Sequence, residues 1–178
     1  MKEAMVSLFW ECSTPIVFLH VISAVVWVGG MIAMRFAAHQ SFMELEPPMR
    51  LARSAQALKR LFTIVTPFVV ILIITAVLMA VGWGFRAASV DANGNVIDEA
   101  AFATYQLVHV KEAIWLIMAL NLGAMILRRN KAQKMIDAGD FAAAKPLLGL
   151  IGKYMVPVNI VLGVIAIYLG VTLRYSHA

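Results

Sequence analysis

The stretch Leu19-His20-Val21-Ile22-Ser23-Ala24-Val25-Val26-Trp27-Val28-Gly29-Gly30-Met31 lies inside an apolar run that continues to Arg35-Phe36 and His39. The run is long enough to cross a bilayer, because a helix rises about 1.5 Å per residue and needs about 20 residues to span the hydrocarbon. It nevertheless carries an imidazole inside it and a second at its far end. An ionisable side chain in hydrocarbon is costly and marks function by default.

The rest of the 178-residue chain is of the same kind. It is 62% hydrophobic and only 14% charged, too little polar surface for a soluble domain of this size. Four segments qualify as spans, roughly 14–38, 61–85, 105–127 and 154–173. The first is too long for the core of a cleaved signal peptide. The expected fold is therefore all-α, one integral membrane four-helix bundle over 1–178.

Charge orients it. The net charge is +5. Arg50, Arg53, Lys59 and Arg60 follow the first span, and Arg128, Arg129, Lys131, Lys134, Lys145 and Lys153 follow the third. The connection after the second has only Arg86 against Asp91, Asp98 and Glu99. Basic loops stay on the cytoplasmic side, which predicts an up-down-up-down bundle with both termini on the outer, periplasmic side. Topology accounts for the basic loops, so no nucleic-acid partner is read from them. The partner that the composition demands is the lipid bilayer.

Local signals refine the outline. Phe9 and Trp10 read as interface anchors. Pro47-Pro48 reads as a helix block, with 49–60 a basic helical lead-in to the second span. Pro67 should kink that span, with Thr63 and Thr66 satisfying the carbonyl it frees. Asp91-Ala92-Asn93-Gly94-Asn95 signals a tight turn, and Gly139 a helix C-cap between two short segments. His177 in the tail reads as solvated. Cys12 is the only cysteine, so neither an internal disulfide nor a Cys-x-x-Cys-His haem attachment exists.

Counting from the outer face, His20 lies about six residues in and His109 about four, roughly 9 Å and 6 Å deep. Spans one and three are diagonal in an up-down bundle, so the two imidazoles are expected to face one another across its core. That is the arrangement a single bis-histidine haem b requires, and His20 and His109 are the expected metal ligands. His20, Ala24, Trp27, Met31 and Met34 share one face of the first span, and His109, Glu112 and Leu116 share one face of the third. Trp27 and Gly30 would flank a flat ligand, although Gly29-Gly30 equally suits plain helix packing. Lys111 and Arg86 would hold carboxylates, and Glu112 would orient His109 or take a proton. His39 is about 28 Å from His20 along the helix, at the inner interface, and cannot share its metal. With Arg35 one turn before it, it suits an anionic or proton-carrying substrate. Copper on His20, His109 and either Met31 or Met118 is the competing chemistry, and histidines serving only as interhelical glue in an assembly subunit the third.

The elements Leu19-His20, Trp27-Val28-Gly29-Gly30, Arg35-Phe36 and His39, with His109-Val110-Lys111, resemble the first and third spans of the HemJ-type protoporphyrinogen oxidases. The first two also look like the copper-resistance CopD membrane domain. The likeness covers the four-span plan loosely and about thirty residues well. The fourth span departs from it, with Pro157-Val158-Asn159 where the family has Asn-Glu-x-Pro. The resemblance implies a haem b protein of the bacterial cytoplasmic membrane that oxidises a porphyrinogen and passes electrons to quinone or a partner oxidase. It implies haem ligation near His20 or His109 and a working role for Lys111. Arg35 and His39 complete the expected catalytic set. A homo-oligomer is compatible with all of this.

Overall fold

In the computed structural model, which describes residues 2–175, helices account for almost the whole chain. They are α1 (Lys2–Glu11), α2 (Ser13–Ala33), α3 (His39–Met43), α4 (Pro47–Gly82), α5 (Phe85–Ser89), α6 (Glu99–Asp137), α7 (Phe141–Leu150) and α8 (Val156–Tyr175). One π-helical turn, Met34–Ala38, joins α2 to α3, and another, Ile151–Met155, joins α7 to α8. Four continuous helices long and apolar enough to cross a membrane result: Ser13–Met43, Pro47–Gly82, Glu99–Asp137 and Phe141–Arg174. His177 lies outside the described residues.

These helices outrun the apolar segments that announce them. Hydropathy stops where hydrocarbon stops, but Ala, Lys, Arg, Gln and Met are strong helix formers in water as well. Hence α6 continues through its basic end to Asp137, and the fourth long helix starts at Phe141 instead of at 154. Likewise Pro47-Pro48 does not block helix. The two prolines open α4, at positions whose N–H groups have no partner in any helix. The helix then runs unbroken through Pro67. The hydroxyls of Thr63 and Thr66 donate to Lys59 and Phe62, so neither takes the Thr63 carbonyl that the proline leaves without an N–H.

Between α6 and α7 the chain reverses at Gly139, where φ is +79°. The Gly139 N–H donates to the Ile136 carbonyl and that of Asp140 to Met135. This double closure satisfies the last carbonyls of α6, and glycine takes the left-handed conformation at no steric cost. Asp140 then caps α7 by accepting from the Ala143 N–H. Between α5 and α6 the expected turn forms around Gly94, with Val90 and Val96 bridged antiparallel. The Asp91 carboxylate closes it, accepting from the Asn93 and Asn95 N–H groups and from the Asn95 amide.

The long helices pack in cyclic order, α2 on α4, α4 on α6, α6 on α8 and α8 on α2, leaving α2 and α6 diagonal. Their shared core holds Trp27, Met31, Phe62, Val65, Met118 and Met125. Gly163 of α8 admits Val28 of α2 and the Met118 side chain of α6, since a methyl there would overlap Val28. Two asparagines tie α6 to α8. Asn121 donates to Asn159 Oδ1 at 2.8 Å, and Asn159 donates to the Met118 carbonyl at 3.2 Å. Arg129 ties α6 to α4 through the Ala55 carbonyl at 2.9 Å. In hydrocarbon such bonds replace the hydrophobic drive that water would supply. Phe9, expected at the interface, instead fills the space over Gly82, while its neighbour Trp10 stays exposed.

Candidate functional site

The first span delivers His20 into the bundle beside Thr75 of α4, with 3.0 Å between His20 Nδ1 and Thr75 Oγ1. The threonine hydroxyl has one proton, and it is directed to the carbonyls of Ile71 and Leu72 at 2.8 and 3.0 Å. Oγ1 is therefore the acceptor and Nδ1 carries the hydrogen. In the neutral imidazole the lone pair is then on Nε2. A ring held at one nitrogen with the other free is how proteins prepare a histidine to ligate a metal or accept a proton.

From the diagonal helix α6, Lys111 reaches into the same half of the bundle. Its Nζ lies over Gly170 of α8, where an added Cβ would stand 3.0 Å away, and it is within electrostatic reach of His20. It is half-buried, and no carboxylate pairs with it among the described residues. Below it in the core, Trp27 is 1% exposed and its Nε1 has no hydrogen-bond partner among the described residues.

Helical phase places His109 elsewhere. The buried stripe of α6 runs Ile114, Met118, Leu122 and Met125, and Lys111 continues it one turn up. Two residues before Lys111 is about 200° around the helix, so His109 faces away from the bundle. Its side chain is 54% exposed, and its Nδ1 is 2.9 Å from Glu112 Oε2, with Glu112 44% exposed. The Tyr105 ring stands edge-on to it at 4.5 Å. Glu112 does orient His109, but on the outer surface. The single chain therefore does not bring His20 and His109 onto one iron, and a bis-histidine haem within one bundle does not fit these residues.

The remaining expected residues are dispersed. Gly30 is a helix contact, since a Cβ there would meet the Leu61 side chain at 2.8 Å. Trp27 is core. Arg86 stands exposed on α5, at the same end of the bundle as Lys111. Arg35 lies in the π-helical turn with its guanidinium 5.9 Å from the Phe36 ring, and His39 begins α3. Both are far down the first span from His20. The methionines proposed for copper, Met31 and Met118, are packed in the core. Among the described residues no group of three or more His, Cys, Asp or Glu side chains gathers to hold a metal ion. Thr75 is the member that sequence reasoning missed. Its only signal was the single hydroxyl in the apolar run 67–82 of α4. Comparison with known proteins gave no match to a family model, a curated protein or a solved structure.

Proposed function

We propose that the protein is a multi-pass redox protein of the bacterial cytoplasmic membrane, an up-down-up-down bundle with both termini outside, acting on a porphyrin-type substrate as the HemJ-like motifs imply. The observation that carries this reading is Lys111, an ammonium with no carboxylate partner among the described residues, turned into the bundle beside a histidine held at Nδ1 by Thr75. Such a cation suits a carboxylate, and the propionates of a tetrapyrrole supply one on an otherwise apolar body. Oxidation of a porphyrinogen releases electrons together with protons. Thr75 holds the Nδ1 side of the His20 ring, so Nε2 is the nitrogen that would bind the haem, and the protons released go to water at the outer end of the bundle. Electrons leave to quinone or a partner oxidase. A single haem b, when bound, supplies one-electron chemistry, and from this chain His20 would hold it while Lys111 pairs with a propionate. Arg35 and His39 belong to the opposite end and would serve proton or anion traffic there.

The absorption spectrum of the detergent-purified protein tests this. The expected result is a Soret band that His20→Ala abolishes or shifts to high spin, and that His109→Ala and His39→Ala retain. Loss of the band in His109→Ala would restore the bis-histidine arrangement. A colourless protein carrying stoichiometric copper would transfer the site to copper chemistry, and one carrying neither would leave the histidines as interhelical contacts.

A further inference from the structure

The outward face of α6 presents a carboxylate and an imidazole at a depth where lipid would surround them. By helix rise, His109 lies roughly 6 Å and Glu112 roughly 10 Å inside the expected span, counted from Tyr105. Ionisable groups in spans almost always face the bundle interior or a partner, because facing hydrocarbon is costly. Here the bundle's own interior does not use them, since the buried stripe lies on the other side of the helix. Their hydrogen bonding is also half complete. The His109–Glu112 contact uses Nδ1 and Oε2, and His109 Nε2 and Glu112 Oε1 have no hydrogen bond among the described residues.

We propose that a second copy of this chain covers this face, with α6 packed against α6 about a twofold axis along the membrane normal. One free ring nitrogen and one free carboxylate oxygen per copy form a self-complementary set, as an isologous interface demands. Nε2 of one copy then meets Oε1 of the other with one proton shared between them, and the four groups close a ring that shields the Glu112 carboxyls from lipid. The residues along the face have the spacing of such a seam. Tyr105, His109, Glu112, Leu116, Gly123 and Leu127 follow one another by four, three, four, seven and four positions, the intervals of a packed helix pair. Leu116 and Leu127 are exposed, 51% and 72%, and offer the apolar knobs. A Cβ at Gly123 would meet nothing within 4 Å, so the neighbouring backbone can approach closely there. The inference is independent of the redox reading, because it uses His109, which that reading leaves free.

Cysteine cross-linking in native membranes tests it. With Cys12→Ser as background, Leu116→Cys and Gly123→Cys are expected to give disulfide-linked dimers on oxidation. Val161→Cys, exposed on α8 on a different helix face, is expected to give none. Glu112→Gln, which keeps the shape and removes the charge, is expected to lower the association constant in lipid vesicles about tenfold, the size of one or two interhelical hydrogen bonds. A chain that stays monomeric at every protein-to-lipid ratio overturns the proposal. So does cross-linking that is as efficient from Val161→Cys as from Leu116→Cys, or a covalent adduct to a different protein in place of the dimer.

Discussion

Three titratable side chains within four residues of α6 end up in two different places, and helical phase alone separates them. Lys111 enters the bundle, and His109 and Glu112 leave it. The consequence for Lys111 can be measured. An ammonium with no carboxylate beside it among the described residues is retained at a desolvation cost. Lys111→Met is therefore expected to leave the thermal unfolding midpoint in detergent unchanged or raised, while the proposed porphyrinogen oxidation, assayed in membrane vesicles, falls at least tenfold. A midpoint and an activity that fall together would make Lys111 a structural residue over Gly170 and remove it from the site. The same phase explains what could be read in advance. That His109 and Glu112 share a side, and that Gly163 and Gly170 share another, follows from spacing and holds in the structure. Which side of α6 looks inward does not follow, because lipid and core are equally apolar and an all-round hydrophobic helix carries no amphipathic mark. Lys111 was the residue that could have revealed it, since a cation in a span seeks the bundle interior.

Turns between the helices were legible because their chemistry is local. Gly139 needs only its positive φ and the two carbonyls behind it, and Asp91 needs only the amides of its own loop. Helix ends were not legible from hydropathy, since that quantity marks the edge of the bilayer and not the end of hydrogen bonding. The Pro47-Pro48 pair shows the same limit, as proline stops a helix or starts one according to which side the helix is on. The Asp91 turn has a pH dependence with a definite sign. The Asn95 side-chain amide, followed by the backbone N–H groups of the loop, holds the Asp91 carboxyl below the usual carboxylate range. A carboxyl depressed in the folded loop contributes fully above its unfolded value, and the contribution is lost as pH falls through the folded value. Hydrogen exchange at the Asn93 and Asn95 amides is therefore expected to be slow relative to free peptide at neutral pH and to lose that protection below the carboxylate range. Asp91→Asn should remove this pH dependence. Protection that persists in acid, or that Asp91→Asn leaves pH-dependent, would show that the bridge between Val90 and Val96 holds the turn without the carboxylate.

At the level of the molecule, cyclic packing makes α2 and α6 diagonal and separates two polar regions along the first span. One centres on His20, Thr75 and Lys111 with Trp27 Nε1 beneath it, and the other on Arg35 and His39 next to the π-helical turn. The proposed topology puts these ends in opposite compartments. The segments after the first and third spans are basic, and Arg129 is the one drawn into the bundle, bound to Ala55, Asn130 and Gln133. The Asp91 turn is acidic by contrast. If the basic segments are retained in the cytoplasm, as proposed, the His20 end faces outward and the Arg35–His39 end inward. Single cysteines in a Cys12→Ser chain decide it in intact spheroplasts. Asn93→Cys is expected to react with a membrane-impermeant maleimide before lysis, and Lys131→Cys only after lysis. The reverse pattern would place His20 and Lys111 toward the cytoplasm, and proton release from the porphyrinogen site would then have to run inward.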